Sequence, residues 1–288
     1  METPSTQTAA HGFGLATTYE GGDASLLERI APLVDYLEIT PDSIARRMNS
    51  SARLDESTLA EIRELGRGRK ALVHGVGLSI GTASGWNEDY LRLLDELLPE
   101  VDALWHSEHL GLTMIEGEHL GSMLALPRTE RMLELVCERV RRLQEAYSLP
   151  FLVENIVHLL PDAPADYSDA GFLNALAGRT GCGLILDVYN LECDAHNYGF
   201  DIEVFLAELE MQHVREIHLA GGVLHRGYRL DVHSRLVADS TIALARRVIA
   251  QAPNLGAVTY ELLPEAIPTL GHEAVARELA RLSSLLAS

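Results

Sequence analysis

Histidines and carboxylates recur in this chain at one kind of place, the end of a short apolar run. Glu38 closes YLEIT, His74 closes LVHG, His109 closes SEHL, and Glu154 with Asn155 closes LVENI. Asp187 follows in LILDV, His218 in EIHLA and Glu261 in TYEL, while Asp231 and His233 stand together in LDVH. A charge at the end of a strand buried on both faces must be paired, solvated or bound to something. One such histidine is most simply a hydrogen-bonded packing residue, but the same bias at seven strand ends needs a common cause. Converging carboxylates repel and converging imidazoles are costly to bury, and a cation among them relieves both. Imidazole mixed with carboxylate suits zinc, iron, manganese or cobalt, and the absence of cysteine from these positions argues against copper(I) or an iron–sulfur cluster. So many candidate ligands exceed the needs of one ion. The pattern therefore predicts a bi- or trinuclear centre in which a carboxylate such as Glu154 bridges ions about 3.5 to 4 Å apart.

The elements that must position these residues alternate along the chain. Apolar, β-rich runs lie near residues 13, 35, 70, 103, 151, 183, 215 and 257, eight in all. Between them stand amphipathic segments such as NEDYLRLLDELLPEV and TERMLELVCERVRRLQEAY, the second with apolar residues at 132, 136, 140, 143 and 147. A chain of 288 residues holding eight such units allots about 36 residues to each, a little above the roughly 30 of a 250-residue (β/α)8 barrel. The pattern predicts a single-domain α/β TIM barrel over residues 12–288, preceded by a flexible N-terminus over 1–11. In such a barrel the strand ends that carry the polar residues form the open, catalytic face. A doubly wound sheet is the alternative, but no GxGxxG follows the first strand.

Composition narrows the partners. The formal charge is −19, from 42 acidic against 23 basic residues, which repels nucleic acid and anionic membrane surfaces at long range. No basic-then-apolar leader opens the sequence and no apolar run reaches about 18 residues, so the expectation is a cytoplasmic protein. Cys137, Cys182 and Cys193 have neither an even count nor CxxC spacing and read as free thiols. HGVGLSIG lacks the lysine and serine of a phosphate loop. His106 is expected to point toward a helix. His196 and Tyr198, in DAHNYGFD, are candidates to reach the centre or the substrate, and His225, Arg226, Tyr228 and Arg229 are expected in a solvated loop.

The ordered set HGVGLSIG, SEHL, VENI, LDVYN, NYGFD, IHLAG, LDVH and the last-strand glutamate resembles the DUF692 family, multinuclear non-haem iron-dependent oxidative enzymes with a xylose-isomerase-like barrel. The resemblance implies that His74, His109 and Glu154 hold one iron. Glu154 would bridge to a second iron held by Asp187, His218 and Glu261. Asp231 and His233, with Asn190 or Asn155, would form a third site. It also implies two or three iron ions in mixed Fe(II)/Fe(III) valence with O2 as co-substrate. The substrate would be a residue, foremost cysteine, in a ribosomally synthesised precursor peptide, delivered by a peptide-capturing partner protein. The sequence departs from the family pattern at Tyr189 (family DVNN), Tyr198 (family NHGFD) and Gly222 (family LAGH), and Leu262 and Leu263 replace the usual continuation EWD. Those departures touch the third site and the substrate pocket. A zinc or manganese hydrolase or isomerase on the same barrel, and a metal-binding subunit without catalysis, are the competing readings.

Overall fold

Eight runs predicted as strands are strands in the computed structural model, which describes residues 12–48, 51–160 and 165–286. They are β1 (Gly14–Thr18), β2 (Tyr36–Ile39), β3 (Lys70–Gly75), β4 (Ala103–His109), β5 (Phe151–Glu154), β6 (Gly183–Asp187), β7 (Val214–Leu219) and β8 (Ala257–Tyr260). All eight pair in parallel, each beside its sequence neighbours, and β8 closes on β1 to complete a barrel. Helices follow the strands and pack outside, the longest being Glu130–Tyr147 and His272–Leu286. The chain is a single α/β TIM-barrel domain. The N-terminal segment expected to be flexible lies outside the described residues. No helix among the described residues is long and apolar enough to cross a membrane.

Alternation along the strands separates two environments. Val73, Val153, Leu186, Ile217, Val258 and Tyr260 join the large core between barrel and helices. Residues of the other parity face the barrel axis, and their deepest layer is an apolar cluster of Ala16, Leu72, Trp105, Leu152, Ile185 and Ala257. Two residues further along the same strands stand Thr18, His74, Ser107, Glu154, Asp187 and Thr259. The inward face thus changes from hydrocarbon to polar and ionisable groups within one step of the pleat. Registers carry this across strands: His109 is opposite Glu154, and Asp187 is opposite His218.

The sequence pattern did not anticipate three antiparallel hairpins inserted after β2, β4 and β7: Ala45–Met48 with Ser51–Leu54, Gly111–Ile115 with Glu118–Ala125, and Val223–His225 with Tyr228–Leu230. The last two turn at Glu116–Gly117 and Arg226–Gly227, with φ of 51° and 85°, and 51° and 87°. Consecutive positive φ values match the twist of a two-residue hairpin. The segment holding His225, Arg226, Tyr228 and Arg229, expected as a solvated loop, is therefore ordered pairing on the barrel rim. Asn197 pins it, donating to the Arg229 carbonyl and accepting from the Arg229 amide, both at 2.8 Å.

The loop after β3 is held from below by one buried cation. Arg139, on the helix Glu130–Tyr147, donates to the carbonyls of Ile80 at 2.5 Å and Thr82 at 2.6 Å. Replacing it leaves two buried carbonyls unpaired. Arg139→Met is expected to cost about 2 to 4 kcal/mol in urea unfolding, while Arg139→Lys recovers part of that loss. A change under about 0.5 kcal/mol for Arg139→Met would show that the loop does not depend on this anchor.

Candidate metal centre

His74 ends β3 with its ring buried, and its two nitrogens have different neighbours. Nδ1 lies 2.9 Å from Ser107 Oγ, whose own hydrogen goes to the Val73 carbonyl at 3.2 Å. Ser107 must therefore accept, so Nδ1 carries a proton and a neutral ring has its lone pair on Nε2. His109 repeats the arrangement: Nδ1 lies 2.9 Å from the Gly75 carbonyl, which can only accept. Both presented nitrogens meet one carboxylate oxygen, Glu154 Oε2, at 2.9 Å from His74 and 3.3 Å from His109. Two lone pairs turned on a carboxylate repel unless a proton or a metal cation lies between them.

The other oxygen of Glu154 faces a second group. Oε1 is 3.1 Å from His218 Nδ1, and Glu261 Oε2 is 3.2 Å from the same nitrogen. Asp187 completes this group: ligand atoms of Glu154, Asp187, His218 and Glu261 lie within 4.8 Å of one another, as do those of His74, His109 and Glu154. Asp187 also caps the helix Val188–Tyr198, its Oδ1 accepting the Asn190 amide at 2.7 Å, which leaves Oδ2 buried without a partner among the described residues. His74 Nε2, Glu154 Oε2 and Glu261 Oε2 are orphaned in the same way. This donor set, three imidazoles and three carboxylates, fits two ions of the zinc, iron or manganese type sharing Glu154.

Backbone clamps hold the ligands together. Asn155 donates to the Asp187 carbonyl at 3.0 Å and accepts its amide at 2.9 Å, so it buckles β5 to β6 next to both ligands. Its amide is turned to backbone. Asn190 donates from Nδ2 to the Asn155 carbonyl at 3.2 Å, while its Oδ1 is buried and orphaned. His158 bonds to Asp194 through ring and backbone at 2.6 Å and 2.9 Å, tying the loop after β5 to the helix that Asp187 caps.

The electrostatics follow from crowding these buried groups together. Burial opposes ionisation of Glu154, but His109, His218 and His74 outweigh it and hold the carboxyl well below the usual range. Burial likewise opposes charge on His74, yet Glu154 pushes its pKa up to about 9. Burial, then Asp231 and Glu154, push Asp187 well above an ordinary aspartate.

Asp231 and His233 stand at the edge of the centre, 2.6 Å apart, with His233 Nε2 3.8 Å from Glu261 Oε2. They do not share one tight group with the other ligands. His106 points to the helix Glu88–Leu97 as expected, its Nε2 3.0 Å from the Tyr90 hydroxyl. His196 lies 3.0 Å from the Gly227 carbonyl, steadying the rim hairpin rather than entering the centre, and Tyr198 is exposed. Tyr189 is buried against Gly222, where an added Cβ would come 2.6 Å from the Tyr189 hydroxyl and 2.0 Å from the Leu230 carbonyl oxygen. Sequence reading passed over Glu216, which is wholly buried two residues before His218 on the same strand face. The period of two would have found it. Glu38, named among the polar strand ends but not as a ligand, forms a further tight group with Glu216 and His218.

Residues 12–285 match the family of RiPP precursor modification enzymes MbnB/TglH/ChrH. The chain belongs to the MbnB/TglH/ChrH family. A UPF0276 protein of Rhizorhabdus wittichii is 35% identical over 276 residues, covering 93% of this chain and 94% of the relative. A second UPF0276 protein, from Caulobacter vibrioides, is 35% identical over 236 residues and covers 81% and 80%. Among solved structures, a xylose isomerase domain containing protein of Salmonella typhimurium LT2 superposes with a TM-score of 0.66 at 14% identity, over 95% of this chain and 97% of that one. The IOLI protein, solved with a zinc atom, superposes with a TM-score of 0.60 at 13% identity, over 96% and 98%. These structural likenesses give the MbnB/TglH/ChrH chain a xylose-isomerase-like barrel.

A buried donor set of this kind is expected to stabilise the fold when filled. Added Fe2+ or Zn2+ at about 100 times its dissociation constant should contribute about 2.7 kcal/mol per site, read as a rise in melting temperature that a chelator reverses. Binding must expel the proton from His74, so affinity should rise as the pH climbs toward about 9. Equal melting temperatures with and without metal, in wild type and Glu154→Ala alike, would remove the metal reading.

Proposed function

We propose that this chain is a multinuclear non-haem iron enzyme that uses O2 to oxidise a residue, foremost cysteine, of a ribosomally synthesised precursor peptide. The observation that carries the reading is Glu154, whose two oxygens face two separate ligand groups. His74, His109 and Glu154 would hold one ion, and Glu154, Asp187, His218 and Glu261 a second. Asp231 and His233, with the free Oδ1 of Asn190, would hold a third; Asn155 acts by fixing β5 to β6. Iron in mixed Fe(II)/Fe(III) valence would supply the oxidising power. Membership of a RiPP-modifying family supports a peptide substrate.

The protein's own part is to order and shield. The apolar layer under the ligands excludes water from below. The rim hairpins after β4 and β7 wall the open face across which an extended peptide would lie. A cavity of about 330 Å³ between the loops after β1 and β8 is lined by Leu26, Leu262 and Ile267, with Glu20 among its polar groups. It begins one residue past Glu261 and would take a side chain neighbouring the modified residue. A peptide-capturing partner protein belongs to the same proposal and rests on the resemblance at the sequence level.

Anaerobically purified protein reconstituted with Fe2+ should hold about two or three iron atoms per chain, and His109→Ala and Glu154→Gln should lose iron and activity together. A cysteine-bearing precursor peptide should change mass on incubation with O2 and not without it. Full iron in both variants would defeat the assignment of ligands. Turnover of a small molecule by the zinc form under strict anaerobiosis would establish a hydrolase or isomerase instead.

A further inference from the structure

We propose that Glu216 and Glu38, buried beneath the candidate ligands, are positioning residues that keep the ring proton of His218 on Nε2 and thereby present Nδ1 to the metal. The inference deepens the reading of Glu154, Asp187, His218 and Glu261 as a metal site and rests on it. Glu216 is locked from two sides: Trp105 Nε1 donates to Oε2 at 2.9 Å, and the Thr259 hydroxyl donates to Oε1. That locked Oε1 stands 3.3 Å from His218 Nε2, and Glu38 Oε2 stands at the same 3.3 Å. All three residues are 0% exposed. Neither Glu38 oxygen nor His218 Nε2 has a hydrogen-bond partner among the described residues, so the two 3.3 Å approaches are the only polar contacts that Nε2 makes there.

Both ring nitrogens of His218 stand between carboxylate oxygens, so what separates them is the ion: with a cation held by Glu154, Asp187 and Glu261 facing Nδ1, the one remaining ring proton belongs on Nε2, where a lone pair would face only the lone pairs of Glu38 and Glu216. With the proton on Nε2, a neutral ring has its free pair on Nδ1, between Glu154 and Glu261. His74 and His109 are arranged the other way, with Nδ1 tied to Ser107 and to the Gly75 carbonyl and Nε2 turned inward. The three histidines thus meet the centre through different nitrogens, each fixed by what the far nitrogen touches. An ion between Glu38 and Glu216 would instead have to remove the last ring proton and compete with Trp105 and Thr259 for Glu216.

The test uses Zn2+, which is diamagnetic and independent of oxygen chemistry. Long-range 1H–15N spectra of 15N-histidine-labelled, zinc-loaded protein should show one histidine protonated at Nε2 and metal-bound at Nδ1, absent in His218→Asn. Glu216→Gln should weaken zinc binding about 10- to 100-fold with its circular dichroism unchanged. Trp105→Phe, which frees Glu216 without removing it, should weaken binding less and keep the Nε2–H signal. A proton on Nδ1 of His218, or zinc affinity of Glu216→Gln within about twofold of wild type, would overturn the inference and leave the metal site standing. Zinc bound to His218 through Nε2 would also overturn it, making Glu38 and Glu216 ligands. A wild type that binds no zinc or iron would sink the metal site itself, and the inference with it.

Discussion

Two imidazole lone pairs turned on one carboxylate oxygen form an arrangement that a protein interior holds only around positive charge. In this barrel it occurs at Glu154 Oε2, and the other oxygen of the same residue meets a third ring. Much of the barrel mouth can be understood as keeping that concentration of negative charge and lone pairs in place. Asp187 is tied by a helix amide, His74 by a hydroxyl, His109 by a carbonyl, and Asn155 joins the two strands that carry Glu154 and Asp187. Each tie uses an atom facing away from the centre and leaves the inward atom free. Such pre-orientation is the condition for tight, specific ion binding, because little rotamer freedom is left to lose on coordination.

The barrel makes this possible through a sharp layering. Trp105, Leu152 and Ile185 plug the axis one pleat below Ser107, Glu154 and Asp187 on the same strands. Hydrocarbon directly beneath the ligands lowers the local dielectric, which strengthens attraction to a cation and raises the cost of leaving the site empty. Trp105 belongs to both layers, its ring in the plug and its N–H on Glu216. The apolar layer is therefore joined to the polar one.

The strands and most of the inward polar residues were legible in the sequence because buried parallel strands write themselves as apolar runs, and a polar residue at their end has few explanations. That logic located Glu38, His74, His109, Glu154, Asp187, His218 and Glu261 on one face. It passed over Glu216 because that residue sits mid-strand, where a charged side chain reads as pointing to solvent or helix; only parity with His218 assigns it to the axis. The rim hairpins were missed because their strands are largely solvent-facing and carry no closed apolar run, and their turn signals, EG and RG, are single dipeptides. The role of Asn155 was not readable either. Its amide is spent on the backbone of a residue 32 positions away, a contact that register creates.

The departures from the family pattern at Tyr189 and Gly222 are one structural change. The Tyr189 hydroxyl occupies the space beside residue 222, and the Leu230 carbonyl of the rim hairpin closes what remains, so position 222 has no room for a side chain. Restoring a histidine there would require a smaller residue at 189 and a displaced hairpin together. Tyr189 stands on the helix that Asp187 caps, yet the cap bond runs from the backbone of Asn190 and does not depend on the side chain at 189. The pair of ligand groups around Glu154 can therefore stay fixed while the wall beside Asp231 is rebuilt. That separation means that the packing of Tyr189 against Gly222 can vary without moving His74, His109, Glu154, Asp187, His218 or Glu261.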